Sequence, residues 1–124
     1  MHTSRADLEA MVMGEYEGRQ IDAGAMRIAF ESMPGQFPPD ESLFRGLPDD
    51  RCQCDHWGYL FKGSFQVTYK DGPPEIVRAG EAYHLRPGHF LQTLEPVELL
   101  ELSPIEEHER TMATIARNIG LVAS

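Results

Sequence analysis

A chain of 124 residues sets a prior of one domain, and a domain of that size buries about two thirds of its unfolded surface without staples. Apolar residues at 41 % and charged residues at 25 % exclude disorder, collagen-like and coiled-coil classes, and no apolar run approaches the roughly 20 residues that cross a bilayer. Twenty acidic against eleven basic residues give a net charge of −9, a field that opposes phosphate binding and argues against a nucleic-acid partner. The segment Met1–Asp7 has no apolar core and does not read as a secretory signal, so the expectation is a cytoplasmic protein with no membrane partner.

In chain order, Ser4-Arg5-Ala6-Asp7 reads as a weak capping box, with Leu8, Met11 and Val12 at helical spacing and Gly14 as a stop. A short N-terminal helix is expected there. From Met26 to Ser32 the pattern changes to period two, with Met26, Ile28 and Phe30 on one face and Arg27 and Glu31 on the other, which predicts a half-buried strand. Residues 34–50 hold four prolines and two glycines and read as a loop, anchored to the body by Phe37, Leu43, Phe44 and Leu47. Short strands then follow over 52–62, 64–70, 75–79, 82–86, 89–94 and 97–102, separated by Gly and Pro turns, as in an antiparallel sandwich or barrel. Ser103-Pro104-Ile105-Glu106 carries three helix-start signals, and Ile105, His108, Met112, Ile115 and Ile119 form an apolar stripe that Gly120 ends. His108 is read as a packing or interface residue on that stripe.

Two stretches of this strand series resemble the motifs of the cupin family. Tyr59-Leu60-Phe61-Lys62-Gly63-Ser64-Phe65-Gln66-Val67 is similar to the end of the first motif, and Gly80-Glu81-Ala82-Tyr83-His84-Leu85-Arg86-Pro87-Gly88 to the second. The likeness covers about residues 50–102. It implies an all-β fold: an antiparallel jelly-roll barrel over about 20–103, a short N-terminal helix, and a C-terminal helix over about 104–119, all in one domain of 1–124. It also implies a homodimer. The family's metal ligands are replaced. His56 occupies the place of the family's Glu, Cys52 and Asp50 the places of the paired His residues, and Leu91 the place of the last His, with His89 two residues earlier.

Read without the family, Cys52-Gln53-Cys54-Asp55-His56 is the most unusual segment. Strand alternation places Cys52, Cys54 and His56 on one face and turns Trp57, Tyr59 and Phe61 toward the core. Two thiols and an imidazole suit zinc or iron, with His89 or His84 supplying a further ligand. The candidate metal ligands are therefore Cys52, Cys54, His56 and His89, and the candidate substrate-binding residues are Tyr59, His84 and Gln92. Tyr69, Tyr83 and Phe65 read as core aromatics, and Glu95, Glu98 and Glu101 as a solvated face. Two functions stay open: a cupin that binds a small organic molecule through a Cys/His-bound divalent metal, with the reaction unspecified, and a metal-free ligand-binding or sensor cupin. A thiol nucleophile activated by His56 or His89, and a partner-binding domain using the terminal helices, are further alternatives.

Overall fold

The computed structural model describes residues 1–120. Among the described residues nine strands form two antiparallel sheets. The strands are β1 (Met11–Met13), β2 (Tyr16–Ala23), β3 (Met26–Met33), β4 (His56–Lys62), β5 (Ser64–Thr68), β6 (Glu75–Arg78), β7 (Ala82–Leu85), β8 (Phe90–Thr93) and β9 (Val97–Pro104), and one helix, α1 (Ile105–Asn118), follows them. The larger sheet has the order β1-β2-β3-β9-β4-β7 and the smaller β6-β5-β8. Their facing sides bury Leu60, Phe65, Val67, Val77, Tyr83, Leu85, Val97 and Leu99. The architecture is a β-sandwich with one C-terminal helix. Among the described residues no helix is long and apolar enough to cross a membrane.

The expected N-terminal helix is absent. Arg5–Asp7 makes a single 3-10 turn and Met11–Met13 is a strand. Ser4 Oγ is spent on the Asp7 carboxylate at 2.9 Å and caps no helix N–H. Gly14, at φ +62°, instead turns β1 back on β2, the left-handed geometry a tight hairpin favours. The loop over 34–50 remains a loop with two 3-10 turns and packs on the body, as its apolar anchors suggested.

Two other elements begin elsewhere than expected, and a third turns its other face inward. The strand expected from Cys52 starts at His56, so Cys52 to Asp55 precede it. Cys52 is instead tied by an isolated bridge to His89, with Cys52 N donating to His89 O at 3.1 Å and Gly88 N to Cys52 O at 2.8 Å. The helix expected to be capped by Ser103 starts at Ile105 after Pro104, while Ser103 completes β9 and turns its hydroxyl inward. On β3 the inward face carries Arg27 and Glu31, and Met26, Ile28 and Phe30 face out.

Gly63 links β4 to β5 at φ +86°, where a Cβ would strike the Pro96 carbonyl. Only glycine satisfies both conditions, so this residue of the first motif fixes the crossing from one sheet to the other.

Candidate metal centre and cavity

The bridge at Cys52 and the start of β4 bring three side chains together. Cys52, His56 and His89 are all buried, and their ligand atoms lie within 4.8 Å of one another. Cys52 Sγ is 3.6 Å from His56 Nε2, and the two imidazoles meet edge to face at 5.2 Å. Each ring is oriented from behind. His89 Nδ1 lies 2.6 Å from the Arg86 carbonyl oxygen, which can only accept, so Nδ1 carries the proton and Nε2 the lone pair. His56 Nδ1 faces Ser103 Oγ at 2.6 Å and Glu101 Oε2 at 3.4 Å. That acceptor-rich side takes the proton and frees Nε2. Histidine ligands of metals are commonly held this way.

Burial sets the protonation of the cluster. Loss of water pulls the His56 pKa down to about 4 and that of His89 to about 3, the second also through the neighbouring His56. Both rings are neutral near pH 7, as ligation requires. Burial pushes the Cys52 thiol up to about 11, so a metal must displace its proton on binding.

A cavity of about 140 Å³ opens beside the cluster, room for roughly five waters or a small organic molecule. His56, His89 and Thr111 line its polar end, Met33, Phe37, Phe44, Leu91, Met112 and Ile115 its walls. The loop over 34–50 and α1 cover it, and Asn118 Nδ2 fastens them by donating to the carbonyls of Leu43 at 2.7 Å and Arg45 at 3.0 Å.

The inner face of the larger sheet adds two carboxyl groups the sequence reading passed over. Glu101, read as solvated, points inward from β9, and Glu31 points inward from β3; both line the cavity. Tyr16 Oη donates to Glu31 at 2.6 Å and Tyr83 Oη to Glu101 at 2.9 Å. Burial, and then the facing Glu101, push the Glu31 pKa up to about 7. His108 also lines the cavity and is held by the Arg27 guanidinium. Acidic residues on a strand look like a solvent face, and only the register of β3 on β9 shows otherwise.

The remaining sequence candidates lie elsewhere. Cys54 is buried but outside the cluster, its thiol donating to the Asp55 carbonyl at 3.2 Å. Irregular backbone over 52–55 breaks the alternation that joined Cys54 to Cys52. Tyr59 and His84 sit on the outer face of the larger sheet, away from the cavity. Tyr59 is 40 % exposed, and His84 stacks flat on Trp57 at 4.9 Å while pairing with Asp55 at 2.9 Å. The expected inward aim of Trp57, Tyr59 and Phe61 is therefore reversed: His56 and Leu60 take the inner face of β4. Gln92 spends its amide on the Pro38 carbonyl at 2.9 Å. The cavity's aromatic residues are Tyr16, Phe37 and Phe44.

No family model matches the sequence, and no curated protein matches it. Solved structures do match the fold. A putative ethanolamine utilization protein Q from Salmonella typhimurium aligns over 72 % of this chain and 68 % of its own, at 13 % identity and TM-score 0.52. A variant of oxalate decarboxylase from Bacillus subtilis aligns over 82 % of this chain at 17 % identity and TM-score 0.58. Apo-HppE aligns over 83 % at 8 % identity and TM-score 0.58. The chain spans 28 % of the oxalate decarboxylase and 57 % of HppE. All three are cupin-fold proteins. The chain has the cupin fold. Within it, the Cys52/His56/His89 cluster flanks the two stretches that carried the resemblance, with Cys52 and His56 ahead of the first, His56 on the strand that leads to Gly63, and His89 directly after the second.

Proposed function

We propose that this cupin binds a divalent metal, zinc or iron, through Cys52, His56 and His89, and a small organic molecule in the adjoining cavity. One observation carries the reading. Tetrahedral zinc, with bonds of about 2.3 Å to sulfur and about 2.1 Å to nitrogen, holds those two atoms about 3.6 Å apart; Cys52 Sγ and His56 Nε2 stand 3.6 Å apart with the nitrogen's lone pair turned toward the thiol, whose proton a metal would replace. Three protein ligands leave a further position toward the cavity. A metal there supplies a Lewis acid or an activated water. Ser103 and the Arg86 carbonyl orient the rings, and the loop over 34–50 excludes bulk water. A thiol nucleophile is disfavoured, because burial keeps the Cys52 proton in place.

Cobalt titration of the tag-free protein tests this. We expect one equivalent bound with a thiolate-to-metal absorption band. Cys52→Ser should lose the band, and Cys54→Ser should keep it. A band lost in Cys54→Ser and kept in Cys52→Ser would overturn the ligand set. A folded protein that takes up no metal leaves the cavity as a metal-free binding or sensor site.

The reading includes a homodimer formed through the outer face of the larger sheet. Its support is two apolar rows that cross three strands: Phe30, Leu100 and Tyr59 are in register, as are Ile28, Leu102 and Trp57. Trp57, Tyr59 and Phe61 are 42 %, 40 % and 52 % exposed there, a concentration typical of interaction surfaces.

A further inference from the structure

The geometry points to His108 as the residue that binds the polar end of the cavity's ligand, and to a ligand with an uncharged carbonyl oxygen on a compact apolar body. This inference rests on the reading of the cavity as the ligand site. It does not need the metal.

Arg27, buried at the foot of α1, commits four of its five N–H donors: Nε and Nη2 on the Asp22 carboxylate at 2.8 and 3.1 Å, Nη2 also on Glu109 Oε1 at 2.7 Å, and Nη1 on His108 Nδ1 at 2.9 Å. A guanidinium has donors only. His108 Nδ1 must therefore accept, and the ring's proton resides on Nε2. No described residue accepts from that Nε2. Among the described residues no buried side-chain polar atom lacks a partner, so Nε2 is accessible, on a ring that lines the cavity.

Apart from the rotatable Thr111 hydroxyl, which accepts from Cys52 Sγ at 4.0 Å, the cavity's other ring and phenol hydrogens are engaged within the protein. Tyr16 donates to Glu31, and His56 and His89 direct their N–H groups backward to Ser103 and to the Arg86 carbonyl. His108 thus offers the ligand a fixed donor. The charge of the walls decides the rest. Glu31 and Glu101 face the cavity and no Lys or Arg does, so in the metal-free cavity an anionic head meets carboxyl groups without a compensating cation. An uncharged acceptor oxygen fits the donor, and Met33, Phe44, Leu91, Met112 and Ile115 fit the apolar body.

The test uses cyclohexanone, methylcyclohexane and hexanoate as probes, on the full chain with and without zinc. Long-range proton–nitrogen correlation spectra of the wild type should show His108 as the Nε2–H tautomer; a Nδ1–H ring would overturn the assignment without any variant. Cyclohexanone should shift the His108 Nε2 signal and bind at least about fivefold more tightly than methylcyclohexane, the return of one hydrogen bond. Hexanoate should bind more weakly than cyclohexanone in the zinc-free protein. The ketone's advantage should vanish in His108→Leu and survive in His108→Gln, which keeps a donor. Equal binding of ketone and hydrocarbon by the wild type, or an advantage kept in His108→Leu, sinks the role of His108 and leaves the cavity as the ligand site. Binding of none of the probes sinks the cavity reading together with this one, and zinc uptake, measured separately, reports on the metal alone.

Discussion

Cys52 and Cys54 are two residues apart and both buried, yet only one reaches the cluster, because the backbone between them is not a strand. The carboxyl groups show the same dependence of chemistry on placement. Glu31 sits opposite Gly18 on β2, and the missing side chain there lets the Tyr16 ring lie over the strand and reach Glu31. Held at about 7 against an ordinary 4.5, the Glu31 carboxyl stabilises the fold fully below pH 4.5, and that contribution is lost as pH rises to 7. Unfolded chains ionise it over that window and the native state does not, so wild-type stability should fall by about 1.4 kcal/mol per pH unit from this group. Glu31→Gln does not titrate. Urea midpoints should show the variant gaining on the wild type from pH 4.5 to 7 and running parallel above; a constant difference across that window would contradict the buried-acid reading. His108 illustrates what one sequence hides at this scale. On an apolar helical stripe it reads as packing, and only the Arg27 contact from another element reveals a polarised ring.

At the scale of elements, the strands from residue 56 to 104 were legible because Gly and Pro turns punctuate them and their apolar alternation is strong. The first two strands were not. Tyr16–Ala23 places Glu17 and Arg19 on one face and Asp22 on the other, so neither face reads as buried. Its inner polar groups are satisfied across the hairpin by β3, Asp22 by Arg27 and Tyr16 by Glu31. The Ser103 signal was real but misassigned, since a hydroxyl that can cap a helix can equally hold an imidazole. Gly58 shows how tightly β4 serves the site. A Cβ there would fall on the Tyr83 ring and 2.6 Å from the Leu100 carbonyl. Gly58→Ala should therefore push Tyr83 off Glu101 and lower stability by about 2–4 kcal/mol, read as a drop in Tm; an unchanged Tm would mean that β4 and Tyr83 are not packed as described.

For the whole molecule, the motif resemblance extended to the fold but the ligand set had to be read from geometry, since His56 and Cys52 stand where the family places other residues and His89 enters through a turn where alternation fails. The same topology turns Trp57, Tyr59 and Phe61 outward as His56 and Leu60 turn in, so the strand that builds the site also builds the outer apolar face. Tyr59→Glu combined with Phe61→Glu should convert a dimer to a folded monomer in light scattering coupled to size exclusion. A wild-type chain that is monomeric at about 100 µM would remove the interface.

The metal-edge X-ray absorption spectrum of tag-free, zinc-loaded protein tests the central claim most directly. One sulfur at about 2.3 Å and two imidazole nitrogens at about 2.1 Å, with the sulfur lost in Cys52→Ser, is the expected result. A shell of oxygen and nitrogen without sulfur, in a protein that retains stoichiometric zinc, would contradict it.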